Sequence, residues 1–171
     1  GFDLLIVALG IVSSAQPASN LECVVFGGPP ERGAERFAVP LRSIGFVGND
    51  ADLARLYSAA DVFVLPSRED NLPNTVMEAM ACGIPCVGFA VGGVPDMIDH
   101  RVNGYLATPG DADDLARGIA WVLEDAGRRR RLAEAARGKA LSEWHGDVIA
   151  RRYLDVYNEA LEESYGRSSA C

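Results

Sequence analysis

Pro66 to Phe89 reads PSREDNLPNTVMEAMACGIPCVGF, and the order of segments in it decides the fold. VFVL, Val62 to Leu65, runs into it as a continuous apolar strand, the kind buried on both faces of a parallel sheet. A polar loop follows, carrying Glu69, Asp70 and Asn71. Pro73 opens a helix at its first position, and Gly83 closes it. PCVGF, Pro85 to Phe89, is the next strand. Strand, loop, helix and strand joined this tightly form one βαβ unit.

The alternation extends both ways. Phe2 to Ser14 predicts an apolar helix, and ECVVF, Glu22 to Phe26, a strand closed by Gly27-Gly28-Pro29-Pro30. Glu31 to Leu41 is ambiguous, with helix as one reading, and Ile44 to Val47 predicts a second strand. Asn49 or Asp50 caps a helix whose Leu53, Leu56, Tyr57 and Ala60 share one face. Gly92-Gly93 turns into a short helix beginning at Pro95, and GYLA, Gly104 to Ala107, is the last strand. Three helices finish the chain. Asp111 and Asp114 make a box-like start for the first, which carries Leu115, Ile119, Val122 and Leu123. The second spans about Arg128 to Glu143. The third shows an amphipathic stripe of Ile149, Tyr153, Val156, Tyr157 and Ala160. The expectation is an α/β, Rossmann-like, doubly wound parallel sheet with helices on both faces, residues 1–171 forming a single domain. Ligands of such sheets sit beyond the carboxyl ends of the strands. The loops in question are Gly27 to Pro30, Gly48 to Asp50, Pro66 to Pro73 and Ala90 to Val94.

Composition narrows the classes. The 171 residues suit one domain, and 49% apolar content can build a sizeable core. With 16 basic and 24 acidic residues the net charge is −8, which argues against a general nucleic-acid binder. Four cysteines are too sparse for a disulfide scaffold, and a reducing compartment follows. Cys82 and Cys86 flank Gly83 and Pro85, with no Cys or His pair to complete a metal site, so they read as two buried thiols. Leu4 to Val12 is too short to span a bilayer, and Asp3 rather than a basic residue precedes it; it reads as a buried helix.

The helix start at Pro73 points its free N–H groups toward the polar loop, an anion site suited to phosphate. Asp70 before it and Glu78 in its second turn bracket that site. A carboxylate near a phosphate is unhelpful unless it grips something else, such as ribose or sugar hydroxyls. A nucleotide sugar fits both features. The bland alternative makes Asp70 or Asn71 a helix cap and Glu78 a solvated side chain, and patterning alone leaves both open. His100 and His145 have no partner constellation and read as solvated or capping residues. Arg128 to Arg131 reads as a solvated face, a phosphate or anionic-membrane contact being the alternative. GGPPERG lacks the G-x-G-x-x-G spacing, which makes a dinucleotide-binding oxidoreductase a poor fit.

GFVG, then DLARLYSAADVFVLPS, NTVMEAMACGIPCVGF and VGGVPDMIDHRVNGYL follow the order and spacing of one known family. From Ile44 to about Leu123 the chain resembles the C-terminal, donor-binding domain of GT-B glycosyltransferases, specifically glycosyltransferase family 4, and weaker likeness extends to both ends. EDNLPNTV resembles variants among enzymes of surface-polysaccharide assembly. The family signature is two glutamates separated by seven residues. Glu78 matches the second, and Asp70 stands at the first, one methylene shorter, with Glu69 beside it.

The resemblance implies that Glu78 grips the ribose and Asp70 lies by the transferred sugar. Asn71, Leu72, Pro73, Asn74 and Thr75 would hold sugar hydroxyls and diphosphate through the backbone. Gly27 and Gly28 would let the backbone approach the diphosphate, and Phe46 and Val47 would lie near the base. It implies a retaining transfer of a hexose from a nucleoside diphosphate sugar, a donor substrate rather than a cofactor, with no metal, to a glycan or lipid-linked acceptor. Placement would be cytoplasmic, including the inner face of the membrane. It further implies that this chain starts after its first strand, without an Arg/Lys loop and without the N-terminal acceptor domain. The chain alone is then expected to be inactive or nearly so. The alternative is a catalytically inactive remnant serving as a protein-interaction module.

Overall fold

The computed structural model describes residues 1–15, 20–28 and 37–168. Their order is α1 (Phe2–Ala15), β1 (Cys23–Phe26), β2 (Leu41–Gly45), α2 (Asp50–Ser58), β3 (Phe63–Leu65), α3 (Asn74–Ala81), β4 (Cys86–Phe89), α4 (Val94–Met97), β5 (Gly104–Ala107), α5 (Ala112–Leu123), α6 (Ala126–Glu143) and α7 (Gly146–Ser168). All strand pairings are parallel: β1 with β2, and β3 with β4 with β5. The expected α/β, doubly wound architecture is what the chain forms. The parallel strands fall into a pair and a triplet, and among the described residues β1 has no partner besides β2, nor β3 besides β4.

Side chains alternate between two cores because successive strand residues point to opposite faces. Val64, Val87, Phe89, Tyr105 and Ala107 face α1 and α5. Phe63, Leu65, Cys86 and Leu106 face α2, α3, α4 and α6. All four residues of β4 are buried, as a central parallel strand requires. Gly104 and Gly118 permit close approaches within the layers. A Cβ on Gly104 would lie 2.2 Å from the Cys86 carbonyl oxygen, and one on Gly118 2.5 Å from the Tyr105 ring.

The structure moves several expected boundaries. The second strand is Leu41–Gly45, not Ile44 to Val47, because its register is set by β1, with Cys23 opposite Leu41 and Arg42 bonded to Glu22 at 2.7 Å. Most of Glu31 to Leu41 lies outside the described residues. Pro73 is the N-cap of α3 rather than its first residue. The buried face of α3 is Val76, Ala79 and Met80. The stripe on α7 lies open, with Tyr153, Val156 and Tyr157 each 60% exposed. Among the described residues, no helix is long and apolar enough to cross a membrane.

Asp114 ties α5 to the end of β5. Asp111 caps the helix by accepting the Asp114 N–H at 3.0 Å. Asp114 does not reach back to the cap. Its Oδ1 accepts the Tyr105 hydroxyl at 2.8 Å, and its Oδ2 accepts the Thr108 N–H at 2.8 Å and hydroxyl at 2.7 Å. Burial opposes ionisation, but the Thr108 and Tyr105 hydrogen bonds and the Arg117 charge outweigh it and hold the carboxyl at about 2, against 3.8 ordinarily. A depressed carboxyl contributes stability above its unfolded value and loses it as pH falls through 3.8 toward 2. Asp114→Asn is expected to destabilise the fold by about 1–3 kcal/mol at pH 7. The difference from wild type should shrink between pH 4 and pH 2, as read by urea unfolding across that range.

Candidate functional site

β3 and β4 are parallel neighbours, so the loops after them emerge on one side. Arg68, Glu69, Asp70 and Asn71 after β3, with Val91 and Gly92 after β4, line an open cavity of about 420 Å³. The two loops are in backbone contact. The Gly93 N–H donates to the Asn71 carbonyl at 2.8 Å. A Cβ on Gly93 would sit 2.1 Å from that oxygen, and one on Gly92, where φ is +50°, 1.7 Å from the Asp70 carbonyl oxygen. Glycine is demanded at both positions, by space and at Gly92 also by conformation.

No side chain caps α3, so Asp70 and Asn71 are not the caps of the bland reading. The Val76 N–H donates to the Pro73 carbonyl at 3.0 Å, while among the described residues the Asn74 and Thr75 N–H groups have no partner and are left to water or a ligand, at the positive end of the helix dipole. Asp70 is half-buried, while Asn71, Leu72 and Asn74 are exposed. Glu78, one turn along α3, does not simply face water. It is half-buried, and its Oε2 accepts the Tyr57 hydroxyl at 2.9 Å. Tyr57 is 3% exposed, and its ring stands edge-on to Phe26 at 5.4 Å and Phe63 at 5.7 Å. Burial first, and the hydrogen bond to Glu78 second, push the Tyr57 phenol well above its ordinary range, so it remains a donor.

Phe26 leads into Gly27, whose φ of +94° and N–H to the Gly45 carbonyl at 2.8 Å turn the chain sharply after β1. Among the described residues, no atom lies within 4 Å of a Cβ built on Gly27 or Gly28, which leaves the backbone there open to approach. Phe46, just past β2, is 84% exposed, and Val47 is half-buried. Thus Asp70 and Asn71 meet Gly92 and Gly93, and Glu78 joins the ring cluster that ends at Gly27. Glu78, Gly27, Gly28, Phe46 and Val47 lie outside the cavity lining.

The sequence reading missed four contributors. Tyr57 passed as one more apolar position of α2, although its hydroxyl is a polar atom on an otherwise greasy face. Gly92 and Gly93 passed as a turn. Arg68 carries no motif signal; it lines the cavity and pairs with Asp3 at 2.7 Å, which lowers the Asp3 carboxyl. The histidines and the arginine run stand apart from this site. His100 Nδ1 accepts the Leu106 N–H at 3.1 Å, and His145 Nδ1 the Asp147 N–H at 3.4 Å. Arg128 lies over the Trp121 ring at 4.5 Å, and Arg129 pairs with Asp61 at 3.3 Å.

A family described as "Glycosyl transferases group 1" matches residues 1–139. The chain is 34% identical over 180 residues to D-inositol 3-phosphate glycosyltransferase of Salinispora tropica, covering 98% of this chain and 37% of that protein. It is 32% identical over 118 residues to N-acetyl-alpha-D-glucosaminyl L-malate synthase of Bacillus anthracis, covering 69% of this chain and 31% of that one. The chain thus spans about a third of the length of these relatives. Among solved structures, sucrose-phosphate synthase from Thermosynechococcus elongatus superposes with a TM-score of 0.74 at 29% identity, over 92% of this chain and 42% of that one. HepE of Anabaena, in complex with UDP, gives 0.70 at 20% identity over 93% and 56%.

Replacing Gly93 by Ala forces a Cβ against the Asn71 carbonyl. Urea unfolding should show a loss of about 1–3 kcal/mol for Gly93→Ala. Gly138→Ala, in α6 with nothing near the added carbon, should be neutral or gain up to about 1 kcal/mol.

Proposed function

We propose, since this chain belongs to the glycosyl transferases group 1 family, that it is the donor-binding half of a GT-B glycosyltransferase and holds a nucleoside diphosphate sugar. The observation that carries this reading is the pairing of an uncapped α3 N-terminus with a carboxylate on either side of it, Asp70 in the loop and Glu78 held by Tyr57. The helix start accepts the diphosphate. Glu78 accepts ribose hydroxyls, and Asp70 lies by the transferred sugar. The backbone of Asn71, Leu72, Pro73, Asn74 and Thr75 frames the sugar and diphosphate, Gly27 and Gly28 allow close approach after β1, and Phe46 and Val47 flank the base. UDP bound to the structural relative HepE supports a nucleotide as partner.

The finer reading is a retaining transfer of a hexose to a glycan or lipid-linked acceptor, in surface-polysaccharide assembly on the cytoplasmic side. Charge building on the departing diphosphate is taken up by the α3 dipole and cationic side chains rather than a metal ion. The reading also includes a first parallel strand ahead of α1, and an acceptor domain, neither within the described residues. The split of the strands into a pair and a triplet supports the first. With those parts outside it, the chain alone is expected to transfer little or no sugar.

The second reading, an inactive remnant retained as an interaction module, is favoured by the open stripe of Tyr153, Val156 and Tyr157 on α7. Calorimetric titration with UDP, GDP and ADP, without magnesium, separates the two. Donor binding predicts a preference for one nucleotide, weakened about tenfold or more by Glu78→Ala. Binding of none of the three, or equal binding by wild type and variant, would favour the module.

A further inference from the structure

Tyr57 lies 21 residues before Glu78 in sequence, on a different helix, and supplies the hydrogen bond on the Glu78 carboxylate. The geometry is over-determined. Phe26 from β1 and Phe63 from β3 hold the Tyr57 ring edge-on from two directions. The ring is buried, so its hydroxyl has little freedom to turn elsewhere. A flexible Glu side chain on an exposed helix would sample many rotamers, and holding one costs conformational entropy. Here one oxygen, Oε2, is taken by the phenol, while Oε1 has no hydrogen bond within the described residues.

We infer that Tyr57 is a positioning residue, which fixes the Glu78 carboxylate so that Oε1 is presented to a vicinal diol of the ligand. This rests on the reading of Glu78 as the ribose-binding group. Tyr57 itself touches no ligand. Its hydroxyl sets the carboxylate orientation in advance, and the diol then binds without first ordering the side chain. The raised phenol keeps the donor protonated across the neutral range. Because Phe26 immediately precedes Gly27, the same ring cluster links the carboxylate orientation to the open glycine turn after β1.

The test compares the 171-residue wild type with Tyr57→Phe, Glu78→Gln and the double variant. Ligand-observed NMR, which reads weak binding, measures whichever of UDP, GDP and ADP binds best against its 2′,3′-dideoxy counterpart. Tyr57→Phe keeps the ring stack and removes only the hydroxyl. The expected result is about a three- to tenfold loss for the ribonucleotide. No loss is expected for the dideoxy form, nor any further loss when Tyr57→Phe is added to Glu78→Gln. Equal weakening of both ligands by Tyr57→Phe would show a merely structural role and overturn the inference. So would an unchanged preference for the ribonucleotide. If Tyr57→Phe lowers the melting temperature, Glu78→Asp draws the carboxylate back from the phenol without touching the stack, and should lose the same preference. Wild type that binds both ligands alike, or neither, overturns the assignment of Glu78 itself, and the role of Tyr57 falls with it.

Discussion

Everything in this fold is referred to the complete burial of β4. Cys86, Val87, Gly88 and Phe89 have no exposed face, so the strand must find apolar cover on both sides and parallel partners along both edges. Val87 and Phe89 draw α1 and α5 to one side; Cys86 faces α3, α4 and α6 on the other. Gly88 lets the β3 backbone close in, with Leu65 backbone oxygen 3.3 Å from where a Cβ would stand. With β3 and β4 locked in parallel register, their outgoing loops leave side by side. The cavity at Asp70 is a geometric result of that register.

Two kinds of anchor make the site from these loops. One is backbone against backbone, where Gly92 and Gly93 press on the carbonyls of Asp70 and Asn71. The other is side chain against side chain, where a buried phenol reaches a half-buried carboxylate. The first fixes where the loop lies and leaves the start of α3 without a cap. The second fixes a charge one turn further on. A helix end free of internal caps is costly unless water or a ligand meets it.

The sequence made β4 and β5 legible because their residues are apolar without interruption and bounded by turn signals. The same logic singled out Glu78 and Asp70 as candidates, since carboxylates beside a Pro-started helix are unusual enough to question. Recognition of the family motifs then narrowed the roles beyond anything that periodicity carried. The reading slipped at β2, whose Arg42 and Ser43 are exposed and polar; only pairing to β1 makes that stretch a strand. Asp114 looked like a local capping residue, yet its partners are Tyr105 and Thr108 on the neighbouring strand and loop. Tyr57 was read by its ring, and its hydroxyl acts on a residue in another helix. Each miss is a non-local contact, and one-dimensional spacing carries no signal for those.

The contact of Gly92 and Gly93 with the Asp70–Asn71 carbonyls also sets the unit in which this region can be exchanged. A graft of Pro66 to Pro73 alone into a related scaffold would transplant carbonyls shaped for glycines that the host must happen to possess. The loop after β4 is the mould for the loop after β3. The modular piece is therefore the pair, Pro66 to Pro73 with Ala90 to Val94, although α3 and β4 separate them in the chain.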